Sequence, residues 1–142
     1  MNVELVEMRG QSLVQNWAKI ENALLENRKL VEDVFTPDQL LERIATGDVQ
    51  VWFVRRGEEP LVILLSQFYS TLVTRVFQVF FASGIDMLEN MPLIAGLEKF
   101  AANGGATRFE IQGREGFSRV LKPYGFEKEY VVYSKPLNWR EH

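Results

Sequence analysis

The chain has 142 residues, 46% of them hydrophobic and 12% aromatic, the size of one ordinary domain (residues 1–142) with enough apolar material to bury a core. It has no cysteine, and its single histidine is His142, which excludes thiol nucleophiles, cysteine zinc sites, disulfides and Ser-His relays. The formal net charge of -3 argues against general nucleic-acid binding, because phosphate contacts need a net basic face.

The charge is unevenly spread. Residues 1–100 carry 9 Lys/Arg against 14 Asp/Glu, and residues 101–142 carry 7 against 5, so an anionic ligand is better received by the C-terminal third. The opening MNVELVEMRG lacks the basic, apolar and small-residue layout of a signal peptide, and no apolar run approaches the roughly 20 residues of a membrane span. A soluble cytoplasmic protein without a membrane segment is the expectation.

The opening NVELVEM alternates Val3, Leu5 and Met8 against Asn2, Glu4 and Glu7, as a short edge strand does. From Ser12, placed to cap, Leu13, Val14, Trp17, Ile20, Leu24 and Leu25 fall three or four apart and predict one amphipathic helix. FTPDQLLERIATG predicts a second, with Thr36 as cap, Pro37 in the first turn and Gly47 as the stop. The runs VQVWFVRR and PLVILLSQFYS, separated by Gly57 and Pro60, suit a hairpin, and TRVFQVFFASG follows at once, so an antiparallel meander from Val49 to Ser83 is predicted. The third of these strands is apolar on both faces and should be central and covered on both sides.

Asp86 or Asn90 is placed to cap a helix through Leu93, Ile94, Leu97 and Phe100 that ends at Asn103, Gly104 and Gly105, with Pro92 leaving its first turn open. ATRFEIQG alternates as a strand with one polar face. GREGFSRVLKPYG reads as a short helix with Phe117, Val120 and Leu121 inward, and FEKEYVVYSKPL as a last strand. A strand, helix and strand in succession normally make a right-handed crossover between parallel strands. The predicted class is α/β: a mixed, mostly antiparallel twisted sheet flanked by helices on both faces.

This order, with its tail of strand, helix, Gly-Phe and strand, resembles the GNAT superfamily of N-acetyltransferases from about Val3 to Leu137. The resemblance implies that acyl-CoA, as acetyl-CoA, is held where the fourth strand splays from its parallel neighbour, by the backbone of Phe80, Phe81, Ala82, Ser83 and Gly84 together with Arg114. The family's loop, Gln/Arg-x-x-Gly-x-Gly/Ala, uses glycines to bring backbone N–H groups to a pyrophosphate. Here VFFASGIDMLENMP offers Gly84 alone, with Asp86 where the phosphate charge would lie; the other reading of Ser83, Gly84 and Asp86 is a turn and helix cap. The family's second signature, Asn-x-x-Ala-x-x-Leu-Tyr-x-x-x-Gly-Phe, aligned on Gly125 and Phe126, puts Arg114, Phe117, Val120 and Leu121 at the Asn, Ala, Leu and Tyr positions.

The tyrosine acid of the family is thus replaced by Leu121. Tyr124 reads as a half-buried aromatic with its hydroxyl at the surface. Gln78 cannot act as a base, and Glu110 is the nearby strand carboxylate, either a base or a solvated cross-strand partner of Lys or Arg. Arg114 and Arg119 are guanidinium candidates for phosphate or are simply a charged helix face. The catalytic residues are unknown, and no metal site is expected.

IQGREGFSRVLKPYGFE is more narrowly similar to small GNAT-like proteins of tailed phages and prophages, which include a virion-associated protein of short-tailed phages. Three functions stay open. One is an N-acyltransferase taking acyl-CoA and an amine substrate. Another is a non-catalytic phage assembly or virion protein, in the host cytoplasm or virion and working through protein contacts. The third is an acyl-CoA sensor. Trp17, Trp52 and Phe68 are candidates for a partner surface, or core residues, and a homo-oligomer is possible on the same grounds.

Overall fold

The computed structural model describes residues 2–27, 35–84, 87, 89–113 and 117–137. Asp86 and Arg114 lie outside the described residues. The elements run β1 (Val3–Met8), α1 (Gln11–Gln15), α2 (Trp17–Glu26), α3 (Pro37–Thr46), β2 (Val49–Arg56), β3 (Glu59–Ser70), β4 (Arg75–Gly84), α4 (Met91–Ala95), α5 (Leu97–Asn103), β5 (Arg108–Ile111) and α6 (Ser118–Leu121), followed by a 3-10 turn, Lys122–Tyr124. The five strands lie in chain order in one sheet. The first four pair antiparallel, and β5 pairs parallel to β4.

Local chemistry accounts for several boundaries. Thr36 and Gln39 form a reciprocal capping box at the start of α3, Pro37 takes the first turn and Gly47 closes the helix in the left-handed region, as its sequence predicts. The single helix expected from Ser12 is two. Asn16 leaves helical geometry at φ -107° and ψ 9°, and its side chain donates to the Ser12 carbonyl at 2.8 Å, a local bond that competes with helix propagation. Ser12 is not the cap either: its hydroxyl closes a tight loop with the backbone of Arg9, and the helix starts after Gly10 at φ 54°.

The second long helix is also divided, at Gly96, and Pro92 sits harmlessly in the first turn of α4. Asn90 precedes that turn but makes no side-chain cap bond to it.

Two cores sandwich the sheet. One joins Ile20 and Ala23 of α2 and Leu40 and Ile44 of α3 to Val51, Phe53, Leu65, Phe80 and Phe81. The other joins Met91, Ile94, Leu97 and Ala101 to Trp52, Val54, Leu64, Phe77 and Val79. Strand β4 is buried from Val76 to Phe81, so it is central and covered on both faces, as its double-sided apolar run predicts. Burial of side chains such as Phe53, Phe77 and Phe81 contributes roughly 2–3 kcal/mol apiece. Trp52 is buried, and Trp17 and Phe68 pack partly buried against the two cores, which removes them as a partner surface.

The last expected strand does not form. Residues 126–137 have no strand pairing, and Tyr130, Val131, Val132, Tyr133 and Leu137 are exposed. Strand propensity depends on context: β5 ends the sheet, yet the described residues of the segment meet it through side chains and not through a ladder. Phe126 packs edge-on against Phe109 at 5.2 Å between ring centroids, and Glu129 pairs with Arg108. The parallel crossover expected after β5 is therefore not formed by the described residues.

Candidate functional site

The site begins where β4 and β5 part. Their parallel ladder runs from Val76 opposite Arg108 to Val79 opposite Ile111, and the Gln112 N–H still donates to the Val79 carbonyl at 3.0 Å. Beyond it, β4 continues through Gly84 while paired only with β3. A bulge falls at the same point. Leu65 faces Phe81 and Ser66 faces Val79, so Phe80 is the extra residue. A bulge bends its strand and re-aims side chains, and here both Phe80 and Phe81 enter the core under α2 and α3.

What the parting frees is therefore a strand edge. From Phe80 to Gly84 the edge of β4 that faced β5 has no neighbouring strand among the described residues, a template for an extended amide-bearing partner. The side chains of the stretch are engaged elsewhere. Phe80 and Phe81 are core, Ala82 packs on the opposite core, and the Ser83 hydroxyl accepts from Asn27 of α2 at 3.0 Å. Gly84 has a packing reason to be glycine. Its φ is 144°, and an added Cβ would lie 2.2 Å from the Leu61 carbonyl oxygen.

One rung before the parting, Gln78 faces Glu110. Side chains alternate along a strand, and Phe77, Val79, Phe109 and Ile111 point into the α4–α5 core, so Gln78 and Glu110 project from the α2–α3 face. Tyr69 and Gln67, alternating with Phe68 on β3, project with them. The four form a chain of hydrogen bonds. Tyr69 Oη donates to Glu110 Oε1 at 2.7 Å, Gln78 Nε2 donates to the same oxygen at 3.3 Å, and Gln67 Nε2 donates to Gln78 Oε1 at 3.0 Å.

Gln78 is buried, whereas Gln67, Tyr69 and Glu110 are half-buried. Burial, then the hydrogen bond from its hydroxyl to Glu110 and the charge of that carboxylate, push the Tyr69 phenol up to about 12. It therefore stays protonated, and stays a donor, across the physiological range. No ion pair between Glu110 and a Lys or Arg is found among the described residues. Arg108 pairs with Glu129, and Glu110 is held by the neutral donors Tyr69 and Gln78.

On the other face a groove of about 200 Å³ is lined by Ala95, Glu98, Phe109, Tyr124, Gly125 and Phe126. A larger hollow of about 480 Å³ lies along α3, against Phe35, Glu42 and Arg43, and shares no residue with the polar chain. Leu121 packs partly buried against the α4–α5 core, Tyr124 stands 39% exposed in the turn, and Arg119 is exposed. None of the three is brought to the Glu110 group by a hydrogen bond or ion pair. Sequence reading passed over Gln67 and Tyr69. Their signal was a polar alternation, Gln67 and Tyr69 about Phe68, at the end of an otherwise apolar strand. Among the described residues no cluster of His, Asp and Glu could hold a metal ion, and no helix is long and apolar enough to cross a membrane.

No protein-family model matches the sequence, and no curated protein matches it significantly. Solved structures do match. A probable acetyltransferase superposes with a TM-score of 0.68 at 14% identity, over 97% of this chain and 99% of that one. Glucosamine-6-phosphate N-acetyltransferase from Arabidopsis thaliana gives 0.68 at 7% identity, over 97% and 100%. AAC(6')-Iy, solved in complex with the bisubstrate analog CoA-S-monomethyl-acetylneamine, gives 0.66 at 12%, over 96% and 99%. At these identities the likeness is one of fold. The mixed sheet, its helices on both faces and the full-length superpositions together show that this chain has the fold of the GNAT acetyltransferases.

Proposed function

We propose that this chain is an N-acetyltransferase that binds acetyl-CoA along the free edge of β4 and uses Glu110 to take the proton of an amine acceptor. The observation that carries the reading is the end of the β4–β5 ladder at Val79 and Ile111, with a bulge at Phe80 and a half-buried carboxylate one rung away. The pantetheine arm of CoA bears amides, and it fits a strand edge that, from Phe80 to Gly84, pairs with β3 on one side and with no described strand on the other. The phosphates have less to hold them: Gly84 is the one residue of the family's glycine loop present, and Arg114 is the guanidinium that the resemblance offers. AAC(6')-Iy, a structural neighbour, was solved with a CoA-containing bisubstrate analog, which supports the same class of ligand here.

When bound, acetyl-CoA supplies an acetyl group activated as a thioester. The net exchange turns an amine N–H and a thioester into an amide and a thiol. Glu110 lies where the strands begin to diverge, so a carboxylate is available beside the edge that takes the arm, and proton removal by a positioned group contributes about 10²–10⁴-fold. Thermal melting against acetyl-CoA and CoA tests the reading. A ligand bound only by the native state stabilises it by about 2.7 kcal/mol at one hundred times its Kd, so a saturable rise in Tm is expected. A flat response at millimolar ligand removes the cofactor and the enzyme with it.

A second reading is favoured by the surface of the same molecule. Leu72 and Val73 at the β3–β4 turn are 105% and 93% exposed, and Tyr133 in the tail is 92% exposed. A non-catalytic GNAT-like phage or prophage protein, in the host cytoplasm or the virion, would use such residues for contacts with virion proteins or with its own copies. The same melting experiment separates the two, since that reading predicts no response to acetyl-CoA.

A further inference from the structure

Glu110 is restrained through one of its two oxygens. Tyr69 and Gln78 both donate to Oε1, at 2.7 and 3.3 Å, and Oε2 has no partner among the described residues. Three strands share the work, because Tyr69 is on β3, Gln78 on β4 and Glu110 on β5. Gln78 is itself fixed by Gln67 and is buried. A carboxylate gripped by two donors on one oxygen loses rotation about its last bond and presents the other oxygen in a set direction.

We propose that Tyr69 is a positioning residue for Glu110, clamping Oε1 so that Oε2 is the oxygen that meets the acceptor nitrogen. The inference rests on the acetyltransferase reading above. The clamp is asymmetric in strength. Tyr69 supplies the shorter bond, and burial and the facing carboxylate raise its phenol to about 12, so it remains a donor across the physiological range. Arg108, the nearest cation in sequence, is drawn off to Glu129, which leaves orientation to the neutral donors. A misplacement of about 1 Å in such a group costs roughly 100-fold in rate.

The test compares wild type, Tyr69→Phe and Glu110→Gln by three readouts. Acetyl-CoA should raise the Tm of all three proteins alike, because neither residue lies on the free β4 edge. Thiol release from acetyl-CoA, followed with a panel of primary amines and with water as acceptor, should show kcat reduced about 10–100-fold in Tyr69→Phe with KM for acetyl-CoA unchanged. Alkaline titration of tyrosinate absorbance should show one late-titrating tyrosine in the wild type that moves earlier in Glu110→Gln and is missing in Tyr69→Phe.

Absence of a thermal response in wild type overturns the acetyltransferase reading, and the positioning role falls with it, even if the late titration confirms the contact. A normal thermal response with Tyr69→Phe turning over at the wild-type rate overturns the positioning role alone. A protein that binds acetyl-CoA yet transfers to none of the amines nor to water has no base to position, and that outcome also overturns the proposal. A Tyr69→Phe protein that loses kcat and KM together, with a lowered Tm, assigns Tyr69 a structural role instead.

Discussion

Asn27, the residue that ends α2, donates through Nδ2 to the Ser83 hydroxyl near the end of β4 at 3.0 Å, 56 positions along the chain. The same amide nitrogen caps the helix by donating to the Ala23 carbonyl at 2.9 Å. One side chain thereby ties a helix end to the strand whose free edge is the proposed ligand site.

Replacing Asn27 by Ala removes both bonds, and each hydrogen bond contributes about 1 kcal/mol net. The expected loss is roughly 1–2 kcal/mol, read as a shift of the urea midpoint with an unchanged m-value. An unaltered midpoint would show that the tie is not made in solution.

Gly84 is expected to tolerate no side chain. An Ala there must adopt φ 144° and push its Cβ against backbone, 2.2 Å from the Leu61 oxygen and 2.9 Å from the Val62 Cα, and neither neighbour is a flexible side chain that can swing away. Gly84→Ala should cost about 2–4 kcal/mol, measured by urea unfolding. A loss below about 0.5 kcal/mol contradicts the close approach of β3 and β4.

Glu7 sits on β1 with its carboxyl raised by burial, which Arg9 only partly opposes. A raised carboxyl means that the native state prefers the proton, so this contribution to stability is fully present below the unfolded value and is lost as pH rises through the folded one. Glu7→Gln should therefore stabilise the protein at pH about 7 by less than about 1 kcal/mol and make no difference at pH about 3. Guanidinium midpoints at the two pH values decide it, and equal gains at both refute the burial argument.

Tyr69 gives the opposite end of the pH scale. Its phenol is pushed up to about 12 from the usual 10.0, so the stability linked to it is complete below the unfolded value and is lost as pH rises through the folded value. Wild type should lose stability between pH about 10 and about 12 more steeply than Tyr69→Phe. Parallel curves for the two proteins would mean that Tyr69 titrates like an exposed phenol.

Much of the architecture is legible in residue order. Alternation and apolar runs are local signals of strand and face, so the meander from Val49, the doubly buried β4 and the capped α3 can all be read without a structure. The breaks cannot. Asn16 divides a helix by one side-chain bond to Ser12, and periodicity does not register such competition between side chain and backbone. The tail is the clearest case of the reverse error, since EYVVYS has every strand preference and yet forms no ladder with β5, the edge strand it passes.

The site divides in the same way. Residue types and local spacing by themselves determined the fold class and excluded cysteine chemistry. Only the tertiary structure decided that Tyr69, Gln78 and Glu110 share one oxygen. They come from three strands, 41 residues apart at the widest, and meet because the β3–β4 register and the short β4–β5 ladder bring them level. Register is set by the packing of whole sheet faces against helices. No single stretch of the chain carries it.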